Sequence, residues 1–315
     1  MKLKPIKDIE VNGKCTVRGL TEQMLASGGF TAKKLGIACD ITRRMLRERQ
    51  CTVFLSFPAC IISTGTRGVI RKLVEEGLVD VIITTCGTLD HDLARVWKKY
   101  YHGEFLADDA ELHRRGINRL GNIFIPNESY GVVLENRMQP ILEELYGSGE
   151  HTVSTRELAR EFGKRLTDRK SILYWAAKND IPVFVPGITD GAFGAQLWLF
   201  RQKHPRFTVD VLRDEQELSD IVFTSKKAGA LMVGGGISKH HVIWWNQFRD
   251  GLDYAVYLTT AEEYDGSLSG ARLREAVSWG KVKERARYVT VEGDATITLP
   301  LLVASAIEPG LPRRH

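Results

Sequence analysis

A lysine at position 281 is the residue in this sequence best suited to covalent chemistry. It ends the run Glu275-Ala-Val-Ser-Trp279-Gly280-Lys281, where an indole and a glycine leave its amine open to partial desolvation. Desolvation disfavours the ammonium form and frees the nitrogen lone pair for imine formation. The ordinary alternative is a lysine whose stem lies along a helix C-terminus with its charge in water, where the dipole favours it. On residue type alone that alternative is the commoner, because buried lysines are rare. The pair His240-His241 offers an acid–base group, since imidazole changes charge near neutral pH; a structural histidine is an equal reading for one of them. Asp90-His91-Asp92 and Glu262-Glu263-x-Asp265 have carboxylates spaced as the amines of a polyamine require. They read equally well as helix-start and turn residues.

Most of these residues fall in turns rich in small and polar residues. The turns are Pro58-Ala-Cys60-Ile-Ile-Ser63-Thr-Gly65, Thr84-Thr85-Cys86-Gly87-Thr-Leu-Asp90-His91-Asp92 and Pro186-Gly-Ile-Thr-Asp190-Gly191. They continue with Gly234-Gly235-Gly-Ile-Ser-Lys-His240-His241, Thr259-Thr260-Ala261 through Gly270, and Glu292-Gly-Asp294-Ala295. Glycines let backbone N–H groups approach a phosphate, and a following helix adds a favourable dipole. Several such turns on one edge suit a large, phosphate-bearing ligand. Gly234-Gly235-Gly236 begins like a dinucleotide fingerprint, but Lys239 stands where the third glycine belongs. Residue pattern alone implies an α/β enzyme that uses a cofactor.

The elements that must position these turns are short, nearly continuous apolar runs: Cys51–Phe57, Val79–Thr84, Pro182–Val185, Ala230–Val233, Tyr254–Leu258 and Tyr288–Val291. Such runs predict strands buried on both faces, and helical patterns such as Arg67–Glu76 and Leu273–Val277 alternate with them. That alternation predicts an α/β fold with a mostly parallel sheet, its ligand beyond the carboxyl ends of the strands. The expected architecture is a Rossmann-like three-layer α/β/α arrangement with a helical N-terminal extension. Residues 1–50 form the extension, helical mainly over Phe30–Arg49; residues 51–307 form the catalytic domain; residues 308–315 form a loose tail. Within the domain, Gly116–Pro126 reads as a loop and short strand, and Tyr130–Tyr146 and Ser154–Leu166 read as helices. The second opens on the capping box Ser154-x-x-Glu157.

Composition narrows the function classes. With 43% apolar and 26% charged residues in 315, the chain is typical of a soluble globular protein. No apolar run approaches the roughly 20 residues needed to span a bilayer, and the N-terminus lacks a signal-peptide pattern. The five cysteines form no C-x-x-C pair, which favours reduced thiols in a cytoplasm over disulfides or a metal site. A net charge of +5 with scattered basic residues does not make a nucleic-acid footprint.

The same turns carry a resemblance. Gly234-Gly-Gly-Ile-Ser-Lys-His-His241, Asp253-Tyr-Ala-Val-Tyr257, Tyr264-Asp-Gly-Ser-Leu-Ser-Gly-Ala-Arg272, Glu275 through Lys281, Gly116-Ile-Asn-Arg-Leu-Gly-Asn122 and Gly293-Asp-Ala295 together resemble the deoxyhypusine synthase family, over about Cys51 to Ile307. The resemblance implies an NAD-dependent transfer of the 4-aminobutyl group of spermidine to a lysine of the translation initiation factor 5A precursor. It implies that Lys281 holds the group as an imine with His240 as proton relay, and that the enzyme is a homotetramer. NAD contacts carry over to Cys60, Ser63, Thr85, Cys86, Gly87, Asp190, Gly235, Thr260, Ala261, Asp294 and Ala295. Spermidine contacts carry over to Asp90, His91, His240, Gly266, Ser267, Ser269, Glu275, Trp279 and Lys281. Departures from the family pattern are Ala59-Cys60 for a Ser-Asn pair, Thr88-Leu-Asp90-His91 in a Gly-Gly-x-Glu-Glu segment, and Ala195 and Leu268 at two acidic pocket positions. They leave Asp90, Asp92 and Glu263 as carboxylates to replace the lost ones. Two further readings stay open: a homospermidine synthase-like enzyme using putrescine or agmatine, and a non-catalytic NAD-binding paralog.

Overall fold

The computed structural model describes residues 3–149 and 151–314; Met1, Lys2, Glu150 and the last residue of the expected tail, His315, lie outside the described residues. The chain divides into two compact units. A terminal unit comprises Met1–Phe57, Gly77–Val81 and Ser219–Arg314, and a central unit comprises Pro58–Glu76 and Ile82–Leu218.

In the terminal unit four parallel strands lie in the order Val282–Glu292, Leu252–Thr259, Lys227–Val233, Cys51–Phe57. One row across them runs Val289, Val256, Leu231, Leu55, all buried, which is why the inner strands read as unbroken apolar runs. The Val282–Glu292 strand lies at the edge of its sheet and is longer than the expected Tyr288–Val291. Its first half carries Lys283, Glu284, Arg285 and Arg287, charges that protect an exposed edge but hide it from an apolar criterion. The Leu252–Thr259 strand starts earlier than expected because Asp253 is accommodated inside it. Its carboxylate accepts the Ala228 N–H at 3.0 Å and the Lys283 ammonium at 2.7 Å.

The expected helical extension forms Val17–Ser27 and Phe30–Arg47 and belongs to this unit. Leu35, Ala38, Cys39, Ile41, Met45 and Leu46 bury one face of the second helix, which packs on the Val282–Glu292 and Leu252–Thr259 strands. The tail, expected to be loose, is held by Arg314. Its guanidinium donates to the carbonyls of Met45, Leu46 and Glu48 at the end of that helix, the position where a cation meets the negative end of the dipole.

In the central unit Ile82 and Ile83 pair in parallel with Val183 and Phe184. The stretch expected as a loop and short strand is an antiparallel hairpin, Ile117–Leu120 against Ile123–Pro126. Helices Gly131–Gly147 and Thr155–Lys164 follow, the latter with both hydrogen bonds of the Ser154–Glu157 capping box.

Candidate active site

Lys281 owes its position to the way one short helix ends. The helix Leu273–Ser278 stops at Trp279, and Gly280 takes φ +67°, a left-handed conformation that favours glycine. The Gly280 N–H then donates to the Val277 carbonyl and the Lys281 N–H to the Ala276 carbonyl, both at 3.0 Å. This Schellman pair closes the helix and turns Lys281 inward, where it is 9% exposed, in place of the snorkelling lysine that a helix end usually carries. Its Nζ lies 5.0 Å from the Trp279 ring centroid and 5.7 Å from that of Trp244. Among the described residues, no acceptor is bonded to that nitrogen.

The amine faces a cavity of about 350 Å³, within the range of small-molecule sites. Of the residues expected at a site, His240, Glu275, Trp279 and Lys281 line it; Lys239, Ile243, Trp244, Leu268, Ala271, Arg272, Leu273 and Ala276 complete the wall. The His240 ring stacks on Trp244 at 5.8 Å. Burial, and then the positive charges of Lys281, His241 and Lys239, hold its pKa below the ordinary 6.5, so it is a neutral base at physiological pH. The expected Gly266, Ser267 and Ser269 belong to the loop that carries Leu268 and Ala271. The Ser269 carbonyl accepts from Tyr257 Oη at 2.6 Å, and Ser267 Oγ accepts the Gly270 N–H at 3.0 Å.

On the same edge of this sheet, the Gly234-Gly235-Gly236 turn leads into the helix Ile237–Asn246, whose N-cap, Gly236, supplies no side-chain cap. The first N–H groups of that helix are therefore available to an anion. Gly235 is required by crowding: a Cβ there would lie 2.3 Å from the Ser269 Cα. Thr260, Ala261 and Asp294 sit in the turns after the two neighbouring strands, and Ala295 opens the helix Ala295–Ala306. Asp294 caps its own helix, accepting the Thr296 N–H at 2.8 Å.

The other expected positions lie in the central unit. Cys60 is exposed and Ser63 buried, with Ser63 Oγ donating to the Cys60 carbonyl at 2.6 Å. Thr85 Oγ1 accepts the Ala59 N–H at 3.2 Å, and Thr85 is the N-cap of the helix Cys86–Trp97. Cys86 and Gly87 form its first turn; burial pushes the Cys86 thiol up to about 12, so it is inert near neutrality. Asp190 is exposed ahead of the helix Ala192–Lys203. Asp90 is fully buried at the start of that helix and accepts from Tyr130 Oη at 2.7 Å, the Ala192 N–H at 2.9 Å and the Phe193 N–H at 2.7 Å. Asp92 does the same for the helix Ile172–Lys178, accepting two N–H groups, Ser171 Oγ and Arg67 Nε. Glu263 pairs with Arg274. The three carboxylates expected to replace the lost acids are thus engaged in capping or ion pairing. His91 Nδ1 meets Tyr100 Oη at 2.9 Å.

Lys239, Trp244 and Arg272 went unnoticed in the sequence as cavity residues. Lys239 is 2% exposed, and burial, partly offset by Glu275, pushes its pKa down to about 8. Trp244 lies one helical turn beyond His240, a signal that the i, i+4 spacing could have supplied.

The chain matches the family model described as deoxyhypusine synthase over residues 19–306. A Picrophilus torridus protein named as a probable deoxyhypusine synthase is 57% identical over 301 residues, covering 96% of each chain. An Ignicoccus hospitalis protein of the same name is 51% identical over 309 residues, again covering 96% of each. A crystal structure of a candidate deoxyhypusine synthase from Entamoeba histolytica has the same fold, with a TM-score of 0.66 at 22% identity, covering 95% of this chain and 96% of that one. No helix among the described residues is long and apolar enough to cross a membrane. With 96% of its length matched at this identity, the chain belongs to the deoxyhypusine synthase family and is a transferase.

Proposed function

We propose that the chain moves the 4-aminobutyl group of spermidine onto a lysine of the translation initiation factor 5A precursor, with Lys281 as covalent nucleophile and NAD as cofactor. The observation that carries this reading is the buried Lys281 amine, set between two indoles in a cavity that also holds His240 and Glu275. The chain's features fit NAD. The uncapped start of the helix Ile237–Asn246 suits a phosphate, with Gly235, Thr260, Ala261, Asp294 and Ala295 in the turns of the same unit; the resemblance adds Cys60, Ser63, Thr85, Cys86, Gly87 and Asp190. When bound, NAD supplies a hydride acceptor for the carbon beside the secondary amine of spermidine, and the donor for the final reduction.

The chain's own residues do the rest. The Lys281 amine adds to the substrate imine carbon, the C–N bond to the propyl arm breaks, and 1,3-diaminopropane leaves with the proton that His240 relays. The acceptor lysine then adds to the enzyme imine and displaces Lys281. Trp279 and Trp244 cover the four-carbon chain and restrict water, which would hydrolyse the imine. Glu275 holds the terminal ammonium. A homotetramer, in which a paired subunit covers the site, accords with Trp279 and Tyr264 being 65% and 94% exposed in the single chain. The reading that keeps putrescine as acceptor rests on Leu268, an apolar wall residue where the family pattern has an acid.

Two assays test the proposal. Spermidine labelled in the butyl arm is offered with NAD to the enzyme with the factor precursor or with putrescine, and the enzyme is trapped with cyanoborohydride. Label on the factor and an adduct on Lys281 are expected; label in homospermidine alone selects the rival, and no adduct refutes covalent catalysis. Lys281→Arg keeps the charge but cannot form the imine; transfer is lost with folding retained.

A further inference from the structure

We propose that Lys239 is a positioning residue that clamps the segment 262–272 over the cavity and so sets where Glu275, Trp279 and Lys281 meet the substrate. The inference deepens the reading above and rests on it for its substrate readout.

The segment 262–272 joins the Leu252–Thr259 strand to the helix Leu273–Ser278 with little regular structure, a single short turn over Glu263–Asp265. Its carbonyls have no ladder to pair with, and buried carbonyls need donors. The Ser267 carbonyl accepts the N–H groups of Gly270 and Ala271, but the carbonyls of Leu268, Ser269, Gly270 and Ala271 take side-chain donors. Lys239 Nζ donates to the Leu268 carbonyl at 2.5 Å and to the Ala271 carbonyl at 2.7 Å, charge-assisted bonds stronger than neutral ones. Tyr257 Oη and Thr259 Oγ1 both donate to the Ser269 carbonyl, at 2.6 Å and 3.2 Å. Lys239 itself is fixed over the Tyr257 ring, with Nζ 4.1 Å from the centroid. Gly235 admits Ser269 against the glycine turn, where any side chain would collide. Lys239 therefore ties the turn expected at the cofactor to the loop that walls the substrate cavity.

Two lysines thus line one cavity with different tasks. The Lys239 nitrogen is committed to two carbonyls and an aromatic face, so attack by it would break both bonds. The Lys281 nitrogen carries no such bonds among the described residues.

The test uses the full-length enzyme with Lys239→Met, which keeps the length of the stem and removes the donors, and with Tyr257→Phe, which removes one hydroxyl. Amide hydrogen exchange over 262–272, spermidine KM and kcat, and the site of the trapped adduct are measured. In Lys239→Met, exchange over 262–272 quickens and spermidine KM rises about tenfold each, with kcat changed by less than about threefold and the adduct still on Lys281. Tyr257→Phe moves both quantities the same way by a smaller factor. Unchanged exchange or unchanged KM in either variant overturns the clamp, as does an adduct on Lys239. If Lys239→Met does not fold, Tyr257→Phe alone decides by the same criteria. A wild-type enzyme that gives no adduct refutes the transferase reading instead, and leaves the exchange measurement to judge the clamp.

Discussion

Lys281 and Trp279 are two residues apart, yet the lysine is 9% exposed and the tryptophan 65%, with the amine 5.0 Å from the indole centroid. The left-handed Gly280 between them folds the lysine back beneath the ring that closes its own helix. The helix end therefore supplies both the amine proposed as nucleophile and its cover. A cation this close to an aromatic face is stabilised by about 0.5–2 kcal/mol. In the proposed mechanism the same face also meets a substrate ammonium.

Replacing that cover separates binding from shielding. In Trp279→Ala, spermidine KM is expected to rise about threefold to thirtyfold, from loss of the cation–π contact and apolar wall. Water also reaches the imine, so free 4-aminobutanal is released in place of transferred label. Product partition is followed by chromatography of labelled reactions. Unchanged partition would mean that Trp279 does not shield the intermediate.

The acid limb of the rate profile is expected to report on His240, the proposed proton relay. Its pKa lies below 6.5, through burial first and then the positive charge of Lys281, His241 and Lys239. The protonated form is disfavoured, so the base stays neutral as pH falls past 6.5. The acid limb of kcat/KM should therefore lie below pH 6.5. His240→Gln should remove the limb and lower the rate by about 10²–10⁴-fold. A limb that persists in the variant assigns the relay to another group.

How much of this was legible in the sequence depended on where each partner lies along the chain. Glu275, Trp279 and Lys281 belong to one helix and its closing turn, so one local run holds them, and the family resemblance supplied the substrate roles of Glu275 and Trp279. The inner strands were legible because burial on both faces leaves no polar residue to interrupt them, whereas Lys283, Glu284, Arg285 and Arg287 masked the edge strand. The burial of Lys239 depends on a loop some thirty residues onward, and nothing about a lysine in a helix's first turn signals it. Asp90 was ambiguous for a related reason: an acid near a glycine turn suits a substrate amine, and the helix it caps begins 102 residues later in the chain.

Asp90 should matter first to stability. Its carboxylate accepts from Tyr130 Oη and from the Ala192 and Phe193 N–H groups. Asp90→Ala leaves these donors without their acceptor in a buried site, at a cost of about 3–5 kcal/mol. Asp90→Asn keeps one oxygen and should lose less. Urea unfolding measures both. A loss under about 1 kcal/mol in Asp90→Ala would remove the capping role.

His91 predicts how stability responds to acid. Burial, and then the positive charge of Arg95, push its pKa down to about 4 from the ordinary 6.5. Below 6.5 the unfolded chain takes up a proton at this position while the folded chain does not, so folding loses free energy as pH falls. The loss continues until the folded imidazole also protonates near 4, and amounts to about 3 kcal/mol over that window. His91→Gln keeps a hydrogen-bonding group for Tyr100 Oη and cannot titrate. Its unfolding free energy should therefore fall less than the wild type's between pH 7 and pH 4.5, by about 2–3 kcal/mol. Carboxylates titrating in the same range affect both proteins alike, so the difference between the two curves isolates the imidazole. Parallel curves would mean that His91 takes up its proton as readily folded as unfolded, and that its contact with Tyr100 survives the charge.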